Sequence, residues 1–101
     1  MFEWDEAKNR LNLEKHGISF QEASLIFAGP VLSRVDERVD YGEVRTVSIG
    51  SIAGVVVVVV VHTSRDTQTR IISARLANRR ERRLYDEHLR QAAEGPEGPD
   101  R

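Results

Sequence analysis

The chain has 101 residues, 40% hydrophobic and 31% charged, with a formal net charge of −1, which is material for one core and one domain rather than two. The absence of cysteine excludes a disulfide framework and a thiolate metal site. The opening MFEWDEAKNR lacks the apolar core of a signal peptide, and no apolar run approaches the roughly 20 residues of a membrane-spanning helix, so neither secretion nor membrane insertion is expected. Near-neutrality argues at first against a nucleic-acid partner, but the charge is unevenly placed. Residues 1–64 carry six lysines and arginines against nine acids, net −3; residues 65–90 carry eight arginines against four acids, net +4; residues 91–101 are net −2. A basic region of this density is the footprint of an anion-binding surface.

In chain order, Asp5 is placed to cap a helix over residues 6–16, with Trp4, Ala7 and Leu11 as its expected apolar stripe. Gly17 stands where a left-handed terminal residue is wanted. Ser19 and Glu22 form a capping box that starts a second short helix, with Phe20, Ala23, Ile26 and Phe27 on its core face and Gly29-Pro30 ending it. Strands are expected over 31–35 and 44–49, with a charged turn over 36–42 between them. The run 55–62 is β-branched up to His62 and has no polar face, which marks a central strand buried on both sides. Thr63 to Gln68 turns the chain, and 69–74 forms the last strand. Asn78, with Glu81 three residues on, opens a helix to about Arg90. The tail EGPEGPDR is acidic and rich in glycine and proline, so residues 91–101 are expected to be disordered behind a domain of residues 1–90. The order α-α-β-β-β-β-α predicts an α+β fold with a small antiparallel sheet of about four strands.

The segments FEWDEAKNRLNLEKHGISFQEA, VVVVHTSR, and RIISAR followed by ANRRERRLY resemble the BrnT family, small toxins of type II toxin–antitoxin pairs. The resemblance covers residues 2–89 and is most specific in KHGISF and RIISAR. It implies a RelE-like ribonuclease fold, cleavage of mRNA that halts translation, and neutralisation by a BrnA-like antitoxin. It further implies that the antitoxin carries a ribbon-helix-helix part, so that operator DNA is contacted only through that partner. A cytoplasmic location goes with such a role. Exposed sheet edges make a homodimer, or a heterotetramer with the antitoxin, compatible with the chain.

RNA cleavage without a metal needs a group to take the 2′-OH proton, a cation to hold the phosphorane charge and a donor for the 5′ oxygen. Arginine suits the second task because its planar fork can grip two phosphate oxygens. Arg70 and Arg75 are the candidates. Their odd spacing puts them on opposite faces of an ideal strand, so Arg75 is expected just beyond the strand, at the corner before the last helix. Pairing with Glu81 is its ordinary structural alternative. His62 is the candidate acid or base, against a structural role at a strand end. Tyr85 is a candidate proton donor or base-stacking platform, against a place in the core. Arg65, Arg79 and Arg80 are expected to bind RNA phosphates; cations at a helix start oppose its dipole, which points to a use other than stability. The KHG segment of the resemblance adds Lys15 and His16. Arg82–Asp86 and Arg83–Glu87 have the spacing of a solvated helix face. The histidines lack ligand spacing and no glycine-rich phosphate loop is present, so neither a metal nor a nucleotide cofactor is expected. The alternative function is a non-catalytic module that binds nucleic acid or an acidic protein, or a co-repressor subunit.

Overall fold

The protein is described by a computed structural model over residues 1–37 and 42–94. Its elements are β1 (Phe2–Glu3), α1 (Glu6–His16), α2 (Phe20–Ala23), a 3-10 helix (Ser24–Ala28), β2 (Leu32–Asp36), β3 (Arg45–Ile52), β4 (Val56–Arg65), β5 (Gln68–Leu76) and α3 (Arg79–Glu94). Most of the expected 36–42 turn, and the tail from residue 95, lie outside the described residues. Residues 91–94, expected in the tail, continue α3.

The strands form one sheet in the order β1-β5-β4-β3-β2. Strands β2 to β5 are the expected antiparallel meander. β1 adds a fifth strand, parallel to β5, with Phe2 opposite Thr69 and Glu3 opposite Arg70. Two residues carry no periodicity, so this strand exists only because the folded chain brings Met1 within 2.8 Å of the Thr69 amide. The valine strand is central, and Val58, Val59 and Val60 are buried; Val55 and Val56, beside the turn, are exposed.

Local capping chemistry sets the helix ends. Asp5 accepts the amides of Ala7 at 2.9 Å and Lys8 at 3.2 Å. Gly17 ends α1 at φ 75°, a left-handed conformation that costs glycine nothing. Both halves of the Ser19–Glu22 capping box are formed.

The expected apolar stripe of α1 is not the face it buries. Trp4, just before the helix, packs against the core as expected, but Ala7 is exposed and Leu11 is 64% exposed, whereas the inward residues are Asn9 and Asn12, the latter 7% exposed. The reason lies in what α1 covers. It packs against β5, where Ala74 has backbone groups that no strand pairs. Asn12 supplies both partners: its Nδ2 donates to the Ala74 carbonyl at 2.8 Å and its Oδ1 accepts the Ala74 amide at 3.2 Å. The same Nδ2 reaches the Ile18 carbonyl at 2.9 Å, and Asn9 Oδ1 accepts the Phe20 amide at 2.8 Å. An apolar side chain here would bury unpaired backbone groups.

Apolar packing lies on both faces of the sheet. On one face Val58, Val60, Ile71 and Ala74 meet Ile18, Phe20, Ala23 and Ile26. On the other, Ile49 and Val59 meet Tyr85 of α3, with Leu32, Val47, Val57, Ala77 and Leu89 around them. Gly50 allows the first layer to close, since a Cβ there would stand 2.7 Å from Ile26 Cβ.

One irregularity positions the site. Val61 pairs with Ser73 but His62 pairs with Ile71, leaving Ile72 without a partner. This bulge adds one residue to β5 and reverses its side-chain parity. Pairing with β4 carries β5 on to Leu76, so Arg75 lies inside the strand rather than beyond it, and the bulge brings Arg70 and Arg75 onto the same face.

Candidate functional site

A cleft of about 450 Å³ opens on the α3 side of the sheet. Two adjacent cross-strand rows make its floor: Leu32, Ile49, Val59 and Arg75 in one, Arg34, Val47, Val61 and Ser73 in the other. Glu81 and Leu84 of α3 form a wall. The floor is thus apolar in the middle, with Arg34 on the edge strand at one end and Arg75 on β5 at the other. A third row is internally compensated. It carries Asp36 opposite Arg45, and Thr63 opposite Arg70 opposite Glu3. Arg70 stands 3.7 Å from Glu3, and Arg45 3.3 Å from Glu43.

Arg75 is engaged by Glu81 through both arms of its fork, at 2.8 Å and 2.7 Å. The ordinary pairing therefore exists, and it sits in the cleft with the Arg75 side chain 44% exposed. Glu81 also closes the predicted capping box of α3, accepting the Asn78 amide at 2.9 Å while its own amide donates to Asn78 Oδ1 at 2.8 Å. The Arg75 hydrogen bonds, against the opposing effect of burial, hold the Glu81 carboxyl down at about 2, helped by the Asn78 amide and the charges of Arg75 and Arg34. It is a carboxylate at any ordinary pH, and two guanidinium groups from opposite ends of the floor act on it.

The other expected residues separate. His62 shares the face of Val58 and Val60, the opposite side of the sheet from Arg75. Its ring packs edge-on to Phe27 at 5.0 Å, and its Nε2 is 2.8 Å from Ser48 Oγ, itself 2.6 Å from Ser33 Oγ. Burial lowers its pKa and favours the neutral imidazole. Tyr85 is 2% exposed, packs in the α3-side core and donates its hydroxyl to the Pro30 carbonyl at 2.8 Å. It does not line the cleft. Arg65 pairs with Gln68 at the end of the β4–β5 hairpin, on the same face as Arg70 and exposed. Arg79 and Arg80 begin α3 and are exposed, with no side-chain partner among the described residues. Glu87 takes Arg90 and Gln91 as partners rather than Arg83. Lys15 and His16 line a separate shallow groove between α1 and β5, with Lys8, Leu11, Asn12, Ile72 and Ser73.

Sequence reasoning missed Arg34 and Leu84. Alternation along 31–35 showed that Arg34 faces away from Ser33, but only the β2–β3 register shows that it faces the cleft. Among the described residues no group of three or more His, Cys, Asp or Glu is placed to hold a metal ion. No helix among them is long and apolar enough to cross a membrane. The arrangement can grip an anion between two guanidinium groups, beside an apolar floor on which a flat ring can rest.

Residues 4–81 match the family described as "Ribonuclease toxin, BrnT, of type II toxin-antitoxin system". The class of protein is therefore that of the small ribonuclease toxins, which implies an RNA substrate and an antitoxin partner. Among solved structures, the chain is similar to the ribonuclease toxin BrnT of Brucella abortus, determined at 1.1 Å, with 25% identity and a TM-score of 0.59 over 78% of this chain and 99% of that one. The chain belongs to the BrnT family. No curated protein sequence matches it.

Proposed function

We propose that this chain is a metal-independent endoribonuclease toxin that cleaves mRNA, and so inhibits translation, at the cleft between the sheet and α3. The observation that carries this reading is the placement of Arg34 and Arg75 at opposite ends of one apolar floor, both acting on the Glu81 carboxylate. A phosphodiester held there would have its charge met by fixed guanidinium groups, and an adjacent base would lie on Val47, Ile49, Val59 and Val61. Arg65, on the same sheet face, extends the cationic track toward the hairpin, and Arg79 and Arg80 extend it along the start of α3, whereas the charge of Arg70 between them is offset by Glu3.

The reaction is attack of a ribose 2′ oxygen on the neighbouring phosphorus. The P–O2′ bond forms as the P–O5′ bond breaks, the 2′ proton leaves to a base and O5′ takes up a proton. The products are a cyclic phosphate and a 5′-hydroxyl end. Arg75, with Arg34 opposite, holds the charge of the phosphorane, and guanidinium groups supply there the positive charge that a metal ion supplies in other nucleases. His62, on the opposite sheet face against Phe27 and Ser48, and the buried Tyr85 do not line this cleft, so both are given a structural role.

Inhibition follows from covering the cationic track. The partner is a BrnA-like antitoxin with a ribbon-helix-helix part, through which operator DNA is contacted, and the pair works in the cytoplasm where mRNA is found. The test is cleavage of a 5′-labelled single-stranded RNA in EDTA, beside the Arg75→Ala variant. Discrete fragments with cyclic-phosphate ends, lost in the variant, are expected. Intact RNA retained in a gel shift would instead favour the non-catalytic binding module.

A further inference from the structure

We propose that the Glu81 carboxylate is an internal stand-in for the substrate phosphate: it fills the Arg75 fork in the free protein, and a phosphodiester must displace it to bind. The inference rests on the reading of the cleft as the RNA site and adds how that site is regulated.

A carboxylate and a phosphodiester present the same thing to an arginine, two oxygens in a plane sharing one negative charge. The Arg75 fork is satisfied in this way by Glu81, at 2.8 Å and 2.7 Å. Its third contact is the Leu76 carbonyl at 3.3 Å, so no strong partner holds it once Glu81 is exchanged. Among the described residues Glu81 is the only acid lining the cleft, and its cations are Arg34 and Arg75. While it is engaged, it offsets one of those two charges; once displaced from the fork, it leaves Arg75 free for the ligand.

The two partners are not equally free to move. Glu81 is tied to its own helix by the Asn78 amide and lies in a cap that exists without Arg75. Arg75 is nearly half exposed and hangs from a strand. Exchange is therefore a swing of the Arg75 side chain from Glu81 toward the floor of the cleft, with α3 left capped in place. A cleft of about 450 Å³ leaves room for the incoming group beside the pair.

The experiment measures binding of a 2′-O-methyl oligoribonucleotide, which cannot be cleaved, by fluorescence anisotropy at low salt. Glu81→Gln keeps the length of the side chain and an oxygen to accept the Asn78 amide, but removes the charge. It is expected to bind roughly ten-fold tighter than the native protein, and Arg75→Ala to bind more weakly. Should Arg75→Ala lose affinity while Glu81→Gln gains none, displacement is wrong and the phosphate site stands. Should Arg75→Ala bind like the native protein, the site itself is misplaced and the proposal falls with it. A second measurement needs no variant. The Glu81 carboxyl, followed by carbon NMR as the oligonucleotide is added, is expected to titrate at higher pH when bound, because Arg75 has left it; an unchanged titration at saturation would overturn the displacement.

Discussion

Replacing Asn12 by alanine is expected to destabilise the protein by about 3 kcal/mol, a large part of the roughly 5–15 kcal/mol that holds a domain of this kind. The figure follows from what the side chain satisfies. Removing it leaves the Ala74 amide, the Ala74 carbonyl and the Ile18 carbonyl without partners in a site where Asn12 itself is 7% exposed. A buried polar group left unpaired costs about 1–3 kcal/mol, and water entering the shortened site recovers part of the sum. In urea denaturation the midpoint should fall by roughly 2 M with little change in slope. Leu11→Ser, one position away on the exposed side of α1, should change stability by no more than about 0.5 kcal/mol. Asn12→Asp is the sharper variant. It keeps the acceptor for Ala74 but turns the donor that served two carbonyls into a second acceptor. Burial against those carbonyls raises the pKa of the new carboxyl, so the folded variant binds a proton that the unfolded chain does not. Its stability should therefore rise as pH falls, relative to the native protein. A loss under about 1 kcal/mol in Asn12→Ala, or a larger loss in Leu11→Ser, would show that α1 does not seal β5 through this residue.

Arg75→Lys keeps the charge but loses the fork, and should reduce cleavage by on the order of a hundred-fold in single-turnover assays while binding falls far less; equal losses would point to simple electrostatic attraction. The Glu81 carboxyl is held at about 2 against an ordinary 4.5, so its pairing stabilises the fold fully above pH 4.5 and is lost as pH falls through 2. The pair is partly exposed, so the contribution is about 1 kcal/mol, read as the difference between native and Glu81→Gln acid-denaturation curves. His62 acts in the same sense at higher pH: burial lowers its pKa from 6.5, the unfolded chain binds the proton more readily, and stability should fall as pH drops below 6.5. A His62→Gln variant that melts with the same pH dependence as the native protein would contradict this. Gly50→Ala places a Cβ 2.7 Å from Ile26 Cβ and 3.0 Å from Val31 Cγ1, and should cost about 1–3 kcal/mol in the same urea assay.

What the sequence determined by itself is local. The caps at Asp5, Ser19 and Asn78 and the left-handed Gly17 were legible because each needs only residues within one helical turn. The valine strand was legible as central because an unbroken β-branched run has no face to offer water. The meander followed from short connections, and the charge imbalance located the basic region. What only the tertiary structure decided is which residues meet. Side-chain parity along β5 depends on a bulge at Ile72, and a register shift is a property of two paired strands that neither spells alone. That shift put Arg75 on the side of Arg70, with His62 facing the other way, and pairing with β4 out to Leu76 kept Arg75 within the strand. The inward face of α1 was set by the unpaired backbone of Ala74, sixty-two residues away, so hydrophobic periodicity chose the wrong side. Arg34 and Arg75 come from strands that never touch, and they act on one carboxylate because two strands and a returning helix place it between them. Burial and charge act through space and follow contacts across the sheet, whereas the sequence records only neighbours along the chain.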